Sequence, residues 1–199
     1  MLVQHRGNVA VVDPSAYVAT TAVLCGDVRV GPRARVLFGA VLSAEDGRVE
    51  VGARGMIMEN ALVRGRAAHP ARLGDDVLVG PHAHLNGTVV GDGCFLATGS
   101  SLFPGSRLGR EVEVRINGVV HVNTALDDGA LVPIGWVAVG DPAQVLAPSD
   151  HEEIWKVQAG LDFPQTVYGI SREASARERM ERQAEWFAAH CDDRILPSS

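Results

Sequence analysis

An aliphatic residue recurs at every sixth position from Val12 through Val18, Leu24, Val30, Val36 and Leu42. After an interruption the series resumes at Val51, Ile57 and Val63, then at Leu73, Val79 and Leu85. One residue early, it restarts at Val90 and runs through Leu96, Leu102, Leu108, Val114, Val120 and Leu126 to Val132. Helices repeat near 3.6 residues and simple strands alternate at two, so a period of six excludes both as the main element. It fits a short strand, a tight turn and another short strand, with three such sides closing one coil of about eighteen residues. Each aliphatic side chain then points inward and stacks on its equivalent one coil away. Small residues two places earlier, such as Ala22, Ala34, Ala40, Ala61 and Ala83, suit the crowded corners. Gly and Asp beside the aliphatics, as in Leu73-Gly74-Asp75 and Val90-Gly91-Asp92, supply turn conformations that bulky residues resist.

The repeat breaks at Ala44 to Glu50 and at Arg64 to Arg72, where the chain is expected to leave the coil as loops. Beyond Pro148 the pattern turns helical. Ser149 or Asp150 caps a first helix through about Ala159, with acids in its first turn. Pro164 and Gly169 interrupt, and a second helix runs from about Ser171 to His190 with Ala176, Met180, Ala184, Phe187 and Ala188 as its apolar stripe. The expected organisation is a mainly β domain over residues 1-147, with a C-terminal helical segment over 148-199 packing on it and covering strand edges.

The 199 residues can bury one substantial core. A formal charge of -6 and a pI near 5.6 argue against nucleic acid or an anionic membrane as partner. No apolar run reaches the length of a signal peptide or membrane span, so a cytoplasmic location is expected. Cys25, Cys94 and Cys191 are odd in number and widely spaced, which fits reduced structural thiols better than disulfides or a cysteine metal site.

Three stretches carry a resemblance. The first runs from Leu42 through Val49-Glu50-Val51-Gly52 to Ile57-Met58-Glu59-Asn60-Ala61-Leu62-Val63; the second is Val79-Gly80-Pro81-His82-Ala83-His84-Leu85-Asn86-Gly87; the third is the exit Val139-Gly140-Asp141-Pro142-Ala143. Together they resemble the γ-class carbonic anhydrases of the hexapeptide-repeat superfamily. The resemblance implies a left-handed parallel β-helix, a terminal helix, a homotrimer and a site between subunits.

Carried over residue by residue, the resemblance puts the three zinc ligands at Arg64, Pro81 and Asn86, none of which is a usual zinc ligand. The family's arginine falls at Ser43, its asparagine at Met56 and its glutamine at Met58, while Glu59 and Asn60 keep their character. Without a metal to lower the pKa of bound water to about 7, ordinary carbonic anhydrase activity is not expected. Counting sides by threes stacks Val63, Leu85, Leu102 and Val120, so Arg64, Asn86, Phe103 and His121 form an outward column, with His84 on the same face. A trimer would add the turn carrying Glu59 and His82 from the neighbouring subunit.

The reading is a pocket for a small anionic carboxylate or carbonyl compound. Arg64, Asn86, Asn60 and His121 bind it, and His84, His82 or Glu59 serves as acid or base. No cofactor is expected; if zinc or another divalent metal is held, His69, His82 and His84 are the fallback ligands. As an enzyme the chain would be lyase- or hydratase-like. The alternatives are a CoA-dependent hexapeptide acyltransferase, in which a histidine activates the acceptor, and a non-catalytic trimeric binding or scaffold protein. His5, His151 and His190 lie off this face and are expected at the surface.

Overall fold

A computed structural model describes residues 1–196. Its core is a stack of coils whose strands pair in parallel with the coil above and the coil below. On the first face Leu24, Leu42, Val63, Leu85, Leu102, Val120 and Ala138 lie in register. The second face stacks Val12, Val30, Val51, Leu73, Val90, Leu108 and Leu126. The third stacks Val18, Val36, Ile57, Val79, Leu96, Val114 and Val132. Nearly all of these side chains are buried in one continuous core, and the small residues Ala22, Ala34, Ala40, Ala61 and Ala83 are buried with them. This is the stacked architecture of the hexapeptide-repeat left-handed β-helix.

The first break in the repeat is not a loop. Residues Val41–Val51 form one continuous strand that bends from the first face to the second. Parallel neighbours on both sides, including Gly26↔Ala44, Ala44↔Gly65 and Val49↔Ala71, give its backbone groups partners without leaving the sheet. The second break is a shorter excursion than expected, because strand Leu62–Gly65 precedes it and strand Ala71–Leu73 follows it. Where His69 turns back, a Cβ at Gly87 would stand 2.6 Å from the His69 Cβ, and Gly87 has φ +58°. Only glycine lets the coil pass this closely beneath the loop.

A left-handed backbone ladder climbs the corner between the third and first faces. Gly39, Asn60, His82, Gly99, Asn117 and Gly135 all have positive φ and hydrogen-bond from coil to coil. Asn and His tolerate this conformation better than most residues, so Asn60 and His82 have a turn-forming role here.

The C-terminal segment runs back along the whole solenoid as a strap. Helix α1 spans His151–Gln158, α2 Phe163–Tyr168 and α3 Ala176–Phe187. Pro164 sits in the first turn of α2, where its missing N–H costs nothing, so it starts a helix where an interruption was expected. Helix α3 begins later than expected, behind a capping box between Ser175 and Glu178. Its packed side is one residue round from the expected stripe: Arg179, Gln183, Trp186 and Phe187 are half-buried, whereas Ala176, Met180, Ala184 and Ala188 face solvent. The strap ends in strand Arg194–Leu196, antiparallel to Leu2–Gln4, which in turn lies parallel to the first coil. No helix among the described residues is long and apolar enough to cross a membrane.

Candidate functional site

Beneath the strap lies the column of residues that follow the inward aliphatics of the first face. Strand register sets Val3, Cys25, Ser43, Arg64 and Asn86 one above another, and Phe103 and His121 continue the series. Arg64 and Asn86 are thus neighbours on adjacent coils. His84, one place before the inward Leu85, borders the same column.

The strap roofs this column with aromatic groups of the same chain. The Phe163 ring lies 5.6 Å from Phe103 and 5.5 Å from His121, and the Arg64 guanidinium lies 5.5 Å over the Phe187 ring. Asn86 and His121 are therefore only 5% exposed. Burial pushes the pKa of His84 and of His121 below the ordinary histidine value, and the charge of Arg64 adds to the effect at His84. Both imidazoles are thus held neutral near pH 7. Several buried polar atoms here have no protein partner: His84 Nε2, Asn86 Oδ1 and both ring nitrogens of His121. Each such orphan costs about 1–3 kcal/mol unless water or a ligand meets it.

Arg64 pairs with Glu45. Glu45 is 4% exposed, lies 3.3 Å from Arg64 Nε, accepts from the Ser43 hydroxyl at 2.9 Å and meets His190 Nε2 at 2.9 Å. The contact to Arg64 lacks hydrogen-bond geometry, so the guanidinium keeps donor capacity. Glu59 and His82 lie on the corner ladder, joined by the His82 N–H to the Glu59 carbonyl, and within one chain they do not meet the column. Asn60 is exposed on that corner.

His69 lies in the loop beyond Arg64. With Asp46, Arg66, Asn123, Thr166 and Trp186 it lines a cavity of about 470 Å³. Burial and the nearby Arg66 lower the His69 pKa, while Arg66 stacks 4.7 Å from the Trp186 ring and donates to the Val167 carbonyl. His69, His82 and His84 do not come together as a ligand set. Among the described residues, the group gathered to metal-binding distance is His5, Cys25, His190 and Asp193. His5 is 1% exposed and His190 half-buried, so neither is the surface residue expected, because the strap folds back over the N-terminal strand. His151 is exposed, Cys25 and Cys94 are buried, and Cys191 is exposed, all three thiols being free.

Sequence reasoning missed Glu45, Arg66 and Asp193. Glu45 lay in a segment read as a loop. Its one signal was an acid two places beyond Ser43 in the column.

Comparison with known proteins places this geometry. No protein-family model matches the chain. Gamma carbonic anhydrase 1, mitochondrial, of Arabidopsis thaliana is 33% identical over 174 residues, covering 84% of this chain and 60% of the relative. The chain is similar to the γ-carbonic-anhydrase-like hexapeptide-repeat proteins. Carnitine operon protein CaiE of Escherichia coli is 29% identical over 152 residues, covering 76% of this chain and 74% of that one. Among solved structures, a hexapeptide transferase family protein from Anaplasma phagocytophilum superposes with a TM-score of 0.53 at 26% identity, over 80% of this chain and 91% of that one. This γ-carbonic-anhydrase-like chain spans 60% or less of the length of the two plant γ-carbonic anhydrases it matches first.

Proposed function

We propose that this γ-carbonic-anhydrase-like chain binds a small carboxylate or carbonyl compound at the Arg64–His84–Asn86–His121 column and does so without zinc at the family's positions. The observation that carries the reading is the set of buried, unpartnered polar atoms on His84, Asn86 and His121 beside a guanidinium with donors to spare. A small oxyanion would accept from Arg64, whose planar fork matches a carboxylate. Asn86 and His121 would fix its orientation. Neutral His84, with its charged form suppressed by Arg64, is placed to take a proton from a bound group.

Arg64, Pro81 and Asn86 stand where the family resemblance puts zinc ligands, and this donor set does not suit a zinc ion. The chemistry assigned to the column is therefore binding and proton transfer by side chains. If catalytic, the reaction class is lyase- or hydratase-like.

A homotrimer is the assembly that fits. Outward positions of the third face carry exposed Tyr17, Met56, Phe95 and Leu131, separated in the register by Arg35, Leu78 and Glu113, and Ile116 and Ile134 stand exposed on the neighbouring corner. A second copy seated on this face would bury its apolar residues and bring Glu59 and His82 to a subunit boundary. The free thiols fit a reducing compartment such as the cytoplasm.

The test is thermal unfolding and calorimetric titration with acetate, bicarbonate and a short 2-oxo acid. At least one of these should bind the wild type and raise its unfolding midpoint. Arg64→Ala should abolish binding while the trimer persists in light scattering, and Arg64→Lys should recover part of it. Equal binding by wild type and Arg64→Ala defeats the reading.

A further inference from the structure

At the N-terminal end of the strap, four side chains from distant parts of the chain converge. His5 follows the first strand, Cys25 belongs to the first coil, and His190 and Asp193 come from the end of the strap. One ligand atom from each lies within 4.8 Å of all the others. Asp193 binds both imidazoles, through Oδ1 to His5 Nδ1 at 2.6 Å and through Oδ2 to His190 Nδ1 at 2.8 Å. The two rings stack with centroids 4.3 Å apart. The Cys25 thiol faces Asp193 Oδ2 at 3.8 Å.

We propose that His5, Cys25, His190 and Asp193 form a zinc-binding site that clips the C-terminal strap to the start of the solenoid. Two imidazoles, one thiolate and one carboxylate make a four-donor set of the kind that holds zinc tetrahedrally, at about 2.0–2.3 Å from the metal. Ligand atoms in such a site stand about 3.3–3.8 Å apart, so the widest separations must contract by about 1 Å while the 2.6 and 2.8 Å carboxylate–imidazole contacts open. The stacked rings separate slightly to admit the ion.

The surroundings fit a metal better than a simple hydrogen-bonded network. If His190 ligates through Nδ1, its Nε2–H is left to donate to Glu45 Oε2 at 2.9 Å. A carboxylate behind a ligating histidine fixes the tautomer and ring orientation. His5 Nε2 is buried without a partner, in a side chain almost wholly removed from solvent. As a thiol, Cys25 contributes no more than a weak contact to Asp193, at 3.8 Å. Zinc would take Cys25 as thiolate, release its proton to solvent and place a cation among these acids. Glu45 links this site to the Arg64–Asn86 pocket, but none of the four donors is one of the residues assigned to bind the small ligand.

Cobalt reports on this directly. Full-length protein stripped of metal should take up one Co²⁺ per chain. It should show the near-ultraviolet absorption of a cobalt–thiolate bond and lose that band when Zn²⁺ displaces the cobalt. Cys25→Ser, close to isosteric, should remove the band, while Cys191→Ser and Asn86→Ala keep it. Glu45→Gln should weaken zinc binding by about 10- to 100-fold, as loss of an orienting carboxylate does elsewhere. Saturating zinc should raise the thermal midpoint of the wild type but not of His5→Ala or His190→Ala. An unchanged band in Cys25→Ser, or no stoichiometric uptake by the wild type, overturns the assignment.

Discussion

The inside of the solenoid and the seam beneath the strap are built on opposite terms. Inside, each position repeats on every coil, is filled by an aliphatic group, and is stabilised by burial at roughly 25 cal/mol per Å² of apolar surface. In the seam no two rungs are alike. Cys25, Ser43, Arg64, Asn86, Phe103 and His121 follow one another under a roof of Phe163 and Phe187. The interior leaves little polar to satisfy, whereas the seam buries charges and orphaned polar atoms beside each other. Repetition builds the rod, and departure from repetition marks where the rod does something.

The difference can be broken most severely from inside. Leu85→Ala, at a fully buried rung, is expected to cost about 2–5 kcal/mol in urea unfolding, through lost transfer energy and the cavity left behind. An effect below that range would mean that neighbouring coils collapse onto the gap. In the seam, Arg64→Met should cost about 1–3 kcal/mol by removing the cation beside the buried Glu45 carboxylate, and the double variant Arg64→Met/Glu45→Gln should restore part of it. Full additivity of the two would show that the pair is not coupled.

Removing the roof is gentler. Phe163→Ala should lower the opening energy of the strap by about 0.5–1.5 kcal/mol beyond the lost burial. Hydrogen exchange should quicken over residues 176–187 while the interior strands stay protected. Exchange rising equally in both regions would make the strap part of one cooperative unit.

Two groups of histidines sharpen the contrast through pH. Burial sets the pKa of His84 and His121 below their ordinary 6.5, so the unfolded chain takes up protons first and the seam loses stability as pH falls below 6.5. At His190 burial works downward, but hydrogen bonds and the charges of Asp193 and Glu45 outweigh it and raise its pKa above 6.5. Its contribution is complete below 6.5 and is lost as pH rises through the folded-state value. The two windows adjoin at 6.5, so His190→Gln should remove the gain in stability on acidification above 6.5 and leave the loss below it unchanged. In the metal-free protein, ring chemical shifts should show His190 titrating at higher pH than His84. The reversed order would refute the seam electrostatics. Smallest of all, Met180→Lys should change stability by no more than about 0.5 kcal/mol, because Met180 is 58% exposed on the outer side of α3.

That last case shows where sequence reading stops. The spacing Ala176, Met180, Ala184, Phe187 and Ala188 is a sound helical stripe, yet the strap turns Arg179, Gln183, Trp186 and Phe187 inward. An Arg and a Trp pack as well as Ala or Met when the opposing surface carries Tyr168 and Arg66 to stack on. For the same reason the column Arg64–Asn86–His121 could be counted out from the repeat, whereas Glu45, His5 and Asp193 could not. Their neighbours are set by the strap's path across 168 residues of chain between Cys25 and Asp193.

The sequence by itself determined the solenoid, its three stacked faces and the order of side chains along each column, because a six-residue period leaves the backbone one way to bury every aliphatic. Only the tertiary structure decided that the strap lies along the first face and that His5 and His190 are covered. Only there do Cys25 and Asp193 meet. Those contacts arise between non-repeating surfaces, where complementarity between distant residues, and no local period, selects the partner.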